Sequence, residues 1–230
     1  MGRKDTQGTF VQGNNNHYFS HKGETVSYEQ LTADNAAVLF IDHQTGLSTG
    51  IQDQSVPEYT IAVTALAKIA KVFKIPSVIT TSAADGPNGP ILPILPELLP
   101  DAPLIHRPGE INAWDNADFV AAVKKTGRKK MIVAGVSTEV CVAFVALSLI
   151  EDGFDVYAVI DASGTWNKLV QEVAVARMVQ AGVKPMTWVA VGAELQADWR
   201  NPTEAEFGRV MGEHLPFYGC LIDSFLAQKA

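Results

Sequence analysis

Cysteine is scarce in this chain, which has only Cys141 and Cys220 among its 230 residues. Two cysteines cannot build a disulfide framework, and the sequence shows no N-x-S/T sequon and no hydrophobic signal segment. We therefore predict a reducing compartment and a cytoplasmic location. Long hydrophobic runs are missing as well, because the longest are strand-sized and fall far short of the roughly 20 residues that span a bilayer. No membrane partner is predicted.

Positive charge and cofactor motifs are also sparse. The chain carries 18 basic against 25 acidic residues, without a basic cluster, so we do not expect it to bind nucleic acid. It has no G-x-G-x-x-G, no Walker lysine motif, no H-E-x-x-H and no paired-cysteine motif, so neither a cofactor nor a metal is predicted. His43 has no second histidine at ligand spacing and is interpreted as a loop or interface residue. A small molecule is the remaining class of ligand.

Apolar segments of strand length alternate with helical patterns from residue 36 onward. The continuous run 36–41 is typical of a strand that is covered on both faces. We predict strands at 36–41, 77–81, 104–105, 130–134, 156–160 and 186–191, and helices at 58–73, 117–126, after Cys141 and at 170–180. This order predicts an α/β fold of three layers (α/β/α), Rossmann-like, with a six-stranded parallel sheet.

Two segments depart from that alternation. Residues 1–34 are polar and without periodicity, and we predict an N-terminal extension there, followed by one domain over 35–230. Seven of the 12 prolines lie between Pro87 and Pro108, which excludes a long helix. The apolar residues between those prolines favour a rigid loop beside a binding site. A polyproline ligand for a peptide-binding module is the alternative.

Cys141 lies in the first turn of a predicted helix, directly after the strand 130–134. Helix N-termini carry partial positive charge, which lowers the pKa of a thiol from about 8.5 and favours the thiolate. Cys141 is therefore a candidate nucleophile, although free cysteines are often buried as small hydrophobic residues. Asp42 follows the first strand. Because parallel strands end at one edge of a sheet, we expect Asp42 and Cys141 to meet there.

Three parts of the chain carry a family resemblance: Asp42, the loop 105–116 (IHRPGEINAWDN) and the segment 135–141 (GVSTEVC). Together they resemble the isochorismatase-like cysteine hydrolases, and within them the YcaC-like subgroup. The likeness runs from about Ala36 to the C-terminus and includes 161–165 (DASGT) and 198–201 (DWRN).

The resemblance implies a triad of aspartate, lysine and cysteine. Asp42 would be the base, and Cys141 would attack an amide or similar carbonyl carbon. Arg107 stands at the lysine position. Because arginine stays protonated in proteins and cannot shuttle a proton, we expect a purely electrostatic role in which Arg107 holds the Asp42 carboxylate and favours the Cys141 thiolate.

The resemblance also implies smaller roles around the triad. A cis peptide bond between Val136 and Ser137 would direct backbone N–H groups, including that of Cys141, at a developing oxyanion. Thr138 is interpreted as a helix cap in preference to a substrate contact, and Glu139 as a complement to the helix dipole. Asn112 and Trp114 are interpreted as pocket residues, although Trp114 suits the core or a subunit interface equally well. Cys220 matches no motif and is interpreted as structural.

The predicted function is that of a cysteine hydrolase acting on a non-peptide carbon–nitrogen bond through a Cys141 thioester. A low-pKa redox or nitrosothiol-exchange site is one alternative, and a catalytically silent scaffold of the same fold is another. The resemblance further implies a homo-oligomer, which is an octamer in the YcaC-like members. The substrate is not implied, because kinship of fold does not transfer one.

Overall fold

A computed structural model describes residues 29–228, in which a six-stranded parallel sheet lies between two layers of helices. The strands are β1 (Ala36–Ile41), β2 (Ser77–Ser82), β3 (Leu104–Arg107), β4 (Lys130–Gly135), β5 (Asp155–Val159) and β6 (Lys184–Met186). The helices are α1 (Thr45–Ser48), α2 (Val56–Val72), α3 (Ile94–Leu98), α4 (Ala117–Lys125), α5 (Ala143–Glu151), α6 (Lys168–Gln180), α7 (Trp188–Gln196), α8 (Glu204–His214) and α9 (Pro216–Ala227). The predicted fold class is confirmed.

The sheet runs in the order β3-β2-β1-β4-β5-β6, with β1 at its centre. Alternate residues of β1 face two separate cores, because successive side chains of a strand point to opposite faces. Val38 and Phe40 pack with α2, α7 and α8, whereas Leu39 and Ile41 pack with α4 and α5. This two-sided burial explains the unbroken apolar run. Ile41 pairs with Gly135, so β1 and β4 end together, and it pairs with Thr80 of β2, which continues to Ser82.

The predicted strand at 186–191 is wrong over most of its length. β6 ends at Met186, and Trp188 begins α7. Two groups stabilise the start of that helix: the hydroxyl of its N-cap residue, Thr187, accepts a hydrogen bond from the Ala190 N–H, and the distant Asp161 carboxylate accepts one from the Trp188 N–H at 3.0 Å. The periodicity of a short apolar run does not distinguish a strand from a buried helix. The caps therefore decide its structure.

The predicted domain boundary at residue 34 lies too late in the chain. Leu31 is fully buried in the core, and its N–H donates to the Glu194 carboxylate at 2.9 Å. The side chain of Gln30 donates to the Glu194 carbonyl. Residues 29–34 therefore belong to the domain. The rest of the predicted extension, residues 1–28, lies outside the described residues.

The proline-rich stretch contains only α3 and β3 as regular structure. Its first part packs on the loop after β1, where the Thr45 N–H donates to the Pro90 carbonyl and the Leu92 N–H to the His43 carbonyl. These contacts fit the predicted rigid loop. Within residues 29–228, no helix is both long and apolar enough to cross a bilayer.

Gly135 controls how closely β1 and β4 approach at the ends that carry the candidate site. A Cβ atom there would lie 2.3 Å from the Ile41 carbonyl oxygen. We expect Gly135→Ala to lower the free energy of unfolding by about 1–3 kcal/mol, as overpacking does, and to move Asp42 relative to Cys141. Chemical denaturation measures the change. Gly208→Ala in α8 is the control, since nothing lies within 4 Å of its added Cβ, and an equal loss in both variants would contradict the steric explanation.

Candidate active site

Asp42, Arg107 and Cys141 come together at the carboxyl edge of the sheet. Asp42 follows β1, Arg107 is the last residue of β3, and Cys141 lies in a π-helical turn (Thr138–Val142) after β4. Asp42 and Cys141 line a cavity of about 230 Å³, whose lining is Asp42, Leu47, Ser82, Asn88, Ile111, Ser137, Glu139, Val140, Cys141 and Trp166. A larger groove of about 720 Å³ near the start of β2 contains none of the three residues and is distant from this chemistry.

Arg107 holds the Asp42 carboxylate in a buried ion pair through a single nitrogen, Nη2. Nη2 of Arg107 lies 2.5 Å from both carboxylate oxygens, and the two side chains are fully buried. Nε donates to the Thr80 hydroxyl at 3.1 Å, and Nη1 donates to the carbonyls of Glu110 and Ile111. Every nitrogen of the guanidinium is therefore engaged within the protein. Arg107 can fix the charge and direction of Asp42, but it has no donor directed at a ligand.

Asp42 has a backbone φ of 54°, in the left-handed region that few residues other than glycine adopt. Aspartate tolerates this region better than most side chains. Such conformations persist only where the surrounding structure holds them, and they cluster at functional sites. Here the Asp42 N–H donates to the Thr80 carbonyl at 3.0 Å, and the side chain is held by Arg107. The chain thus turns sharply after β1 and presents the carboxylate to Cys141.

The Cys141 thiol differs from the expectation of a lowered pKa. Burial raises its pKa well above the ordinary value, and the Asp42 carboxylate raises it further by charge and by accepting a hydrogen bond from the thiol. A backbone hydrogen bond from Ser137 and the Arg107 charge oppose that shift only in part. The helix-dipole prediction is therefore wrong in sign for the free protein. The proton stays on sulfur until a base removes it.

Burial also raises the pKa of the Asp42 carboxyl, and Arg107 opposes the shift through its charge and hydrogen bonds. A carboxylate with a raised pKa is a better proton acceptor near neutral pH than an ordinary one. Asp42 also accepts a hydrogen bond from the Cys141 thiol. The pair is therefore arranged so that a proton can pass from sulfur to carboxylate.

We expect Asp42→Asn to increase alkylation of Cys141 by iodoacetamide at neutral pH. The substitution removes the negative charge that raises the thiol pKa and leaves the Arg107 charge, which lowers it. The pH midpoint of the reaction should therefore move down. Peptide mass spectrometry measures the rate at Cys141, with exposed Cys220 in the same tube as reference. An unchanged midpoint would show that Asp42 does not control the thiol pKa, and a higher midpoint would show that Asp42 lowers it, which contradicts the expected direction.

The turn between β4 and Cys141 contains a cis peptide bond between Val136 and Ser137. Val136 bridges to Gly164, and the Thr138 N–H donates to the Gly164 carbonyl at 3.0 Å. Thr138 does not cap the helix as predicted, because Ser137 occupies the cap position and makes no capping bond through its side chain. The Thr138 hydroxyl is buried, finds no hydrogen-bond partner among residues 29–228, and does not line the cavity.

Asn112 and Trp114 do not line the cavity, which corrects their predicted pocket role. The Asn112 side chain caps the 3-10 turn Ala113–Asp115 and donates to the Ser148 hydroxyl at 3.0 Å. The Trp114 indole packs on Phe119 and Phe154. Both side chains therefore hold the loop that follows Arg107 in place. Their positions near Arg107 in the sequence correctly place them near the site, but neither side chain contacts the cavity.

Trp166, Asn88, Ser82 and Glu139 line the cavity, and the sequence did not single out the first three. Two sequence features could have indicated these residues: Trp166 directly follows the segment 161–165, and Asn88 lies at the start of the proline-rich loop. Glu139 was expected only to complement the helix dipole. Its carboxylate also accepts a hydrogen bond from the Thr165 hydroxyl at 2.5 Å.

His43 lies in the loop after β1 but is fully buried, unlike an interface residue. One ring nitrogen, Nε2, lies 3.0 Å from the Ala162 carbonyl, and burial lowers its pKa to about 4, so the ring is neutral. Across residues 29–228, no group of three or more His, Cys, Asp or Glu residues is arranged to hold a metal ion. Cys220, expected to be structural, is exposed on α9.

Comparisons with known proteins agree with this architecture. The model of the Isochorismatase domain family matches residues 36–190. A curated Escherichia coli (strain K12) protein, "Probable hydrolase YcaC", is 50% identical over 201 residues, which are 87% of this chain and 96% of that protein.

Two solved structures are similar over most of the chain. A Pseudomonas aeruginosa YcaC with hexane-2,5-diol and covalent acrylamide is 55% identical, with a TM-score of 0.85 over 86% of this chain and 98% of its own. The Escherichia coli YcaC gene product, described as an octameric hydrolase of unknown specificity, is 50% identical, with a TM-score of 0.87 over 89% of this chain and 100% of its own.

Proposed function

Because the chain belongs to the isochorismatase family of hydrolases, we propose that it hydrolyses the carbon–nitrogen bond of a small non-peptide amide through a thioester at Cys141. The observation that carries this proposal is the hydrogen bond from the Cys141 thiol to the Asp42 carboxylate at the edge of the cavity. A nucleophile in contact with a base, which a third group orients, is the usual signature of covalent catalysis. Arg107 is the orienting group.

The reaction needs only the groups at this edge. Asp42 takes the thiol proton as sulfur attacks the carbonyl carbon, and a carbon–sulfur bond forms. The proton then passes to the amide nitrogen, the carbon–nitrogen bond breaks, and the amine leaves. Water attacks the thioester while Asp42 accepts a proton from it, the carbon–sulfur bond breaks, and the thiol is restored as the acid departs. Amide and water thus yield acid and amine.

Backbone N–H groups near Cys141 are suited to stabilise the oxyanion of that attack. Val140 and Cys141 lie in the first turn after Ser137 and line the cavity. The first N–H groups of a helix have no acceptor within the helix. Removing one donor from such a site lowers a rate by about a hundredfold or more. The Val136–Ser137 bond directs the chain into this turn.

The Pseudomonas aeruginosa relative with covalent acrylamide supports an accessible nucleophile. Acrylamide is a small primary amide with an electrophilic carbon. We propose that Cys141 forms the corresponding adduct in this chain. The raised pKa of the Cys141 thiol argues against the redox alternative, since redox-sensing cysteines have a low pKa.

By likeness to the octameric Escherichia coli relative, we also propose a homo-octamer, which light scattering on a sizing column tests. The two free cysteines support a cytoplasmic location.

Ammonia release from three matched primary amides tests the proposed hydrolysis. Butyramide, β-alaninamide and succinamate have similar lengths and carry no charge, an ammonium group and a carboxylate, respectively. We expect turnover of at least one, with loss of turnover after acrylamide blocks Cys141. A folded oligomer that releases ammonia from none of them and forms no adduct would support the silent scaffold instead.

A further inference from the structure

We propose that Glu139 selects the charge of the substrate, so that the cavity accepts neutral or cationic amides and rejects carboxylates. This inference rests on the proposed hydrolase and names its substrate class. Its starting point is the charge of the cavity wall. Asp42 and Glu139 are the two charged residues among the ten that line the cavity, and no lysine, arginine or histidine is among them.

The two carboxylates differ in their pairing. Asp42 is neutralised by Arg107 through a buried ion pair. Glu139 has no ion pair within residues 29–228, and its one hydrogen-bond partner there is the neutral Thr165 hydroxyl. A hydroxyl donor orients a carboxylate but does not cancel its charge. The cavity therefore keeps one uncompensated negative charge.

Thr165 holds Glu139 in a defined place. Thr165 is fully buried, its N–H donates to the Asp53 carboxylate at 2.9 Å, and its carbonyl accepts from the Gln52 N–H at 2.8 Å. Its hydroxyl binds Oε2 of Glu139, and Oε1 accepts no hydrogen bond from residues 29–228. One oxygen is thus anchored, and the other can accept from a ligand. Complementing a helix dipole requires neither the anchor nor a place in the cavity wall.

A carboxylate substrate would find no cation in this cavity. All nitrogens of Arg107 are engaged by Asp42, Thr80 and backbone carbonyls. At short range and reduced dielectric, a like charge from Glu139 would weaken binding of an anion by about tenfold or more. A cation gains from the same charge and from the Trp166 indole in the wall, because aromatic faces attract cations.

Charge-matched thiosulfonates test the inference without any turnover. Aminoethyl methanethiosulfonate is cationic and sulfonatoethyl methanethiosulfonate is anionic. Each forms a disulfide with a cysteine as methanesulfinate leaves and the thiol proton is lost. The ratio of cation to anion rates at Cys141, divided by the ratio at exposed Cys220, removes the intrinsic reactivity of the reagents. Glu139→Gln keeps the shape and removes the charge, and Glu151→Gln, at an exposed residue outside the cavity wall, is the matched control.

We expect the normalised ratio to fall about tenfold in Glu139→Gln and to stay unchanged in Glu151→Gln. The ratio of the unmodified protein should also fall at high salt, because salt screens the Glu139 charge. This measurement needs no variant and so does not depend on whether Glu139→Gln folds. A ratio that Glu139→Gln or salt changes by less than about twofold overturns the inference, and so does a failure of the cationic reagent to reach Cys141. If the ratio behaves as expected but none of the three amides is hydrolysed, the charge selection stands and the proposed hydrolysis fails.

Discussion

Replacing Cys141 with alanine is expected to lower the rate of amide hydrolysis by at least about a thousandfold, because losing the nucleophile removes the covalent pathway altogether. The fold should persist, since Asp42, which accepts the hydrogen bond of the thiol, remains paired with Arg107 after the substitution. Ammonia release measures the rate. Circular dichroism shows whether the secondary structure is kept, and urea denaturation measures the free energy of unfolding. Cys141→Ser is expected to be equally inactive, because a hydroxyl is a far weaker nucleophile than a thiolate.

Cys220→Ala is the matched control. It removes the other free thiol, which is exposed on α9 and distant in sequence from every residue of the cavity wall. We expect its hydrolysis rate and its acrylamide adduct at Cys141 to equal those of the unmodified chain. Hydrolysis that survives in Cys141→Ala would contradict the thioester mechanism, whatever the substrate is.

Much of the fold could be predicted because its signals are local. The run at 36–41 became β1 at the predicted bounds, since burial on both faces requires an unbroken apolar strand. The position of Asp42 at the end of β1 and of Cys141 after β4 then followed from the geometry of parallel strands, which end at one edge. Helix α7 was missed because the Asp161 carboxylate, 27 positions away, helps to start it.

The electrostatics of the site could not be predicted from local sequence. The helix dipole alone predicts a lowered thiol pKa, but burial and the Asp42 charge raise it, and Asp42 lies 99 positions from Cys141. The residues of the cavity wall could not be predicted for the same reason, because contacts between distant parts of the chain bring them together. Trp166 reaches it by packing on Gly50, where a Cβ atom would lie 2.3 Å from the indole. Such contacts exist only after the chain has folded.

Replacing Arg107 with methionine is expected to lower the free energy of unfolding by about 3–5 kcal/mol, because it leaves the buried Asp42 carboxylate without a counter-ion. Methionine keeps much of the length of the side chain, so the lost charge and hydrogen bonds dominate the effect. Urea denaturation measures the change. The hydrolysis rate should fall as well, since Asp42 loses the group that directs it toward Cys141. Arg107→Lys keeps the charge but loses the hydrogen bonds of Nε and Nη1, so its stability and its rate should lie between those of the unmodified chain and of Arg107→Met.

Two comparisons separate the ion pair from the size of the side chain. The double variant Asp42→Asn with Arg107→Met removes both charges, and we expect it to be more stable than the sum of its single variants predicts, by about 1–3 kcal/mol. Arg200→Met breaks another guanidinium–carboxylate pair, with Asp198, on an exposed surface, where such pairs contribute little. Additive single effects, or equal losses at Arg107 and Arg200, would mean that Arg107 fills space and does not hold the charge of Asp42.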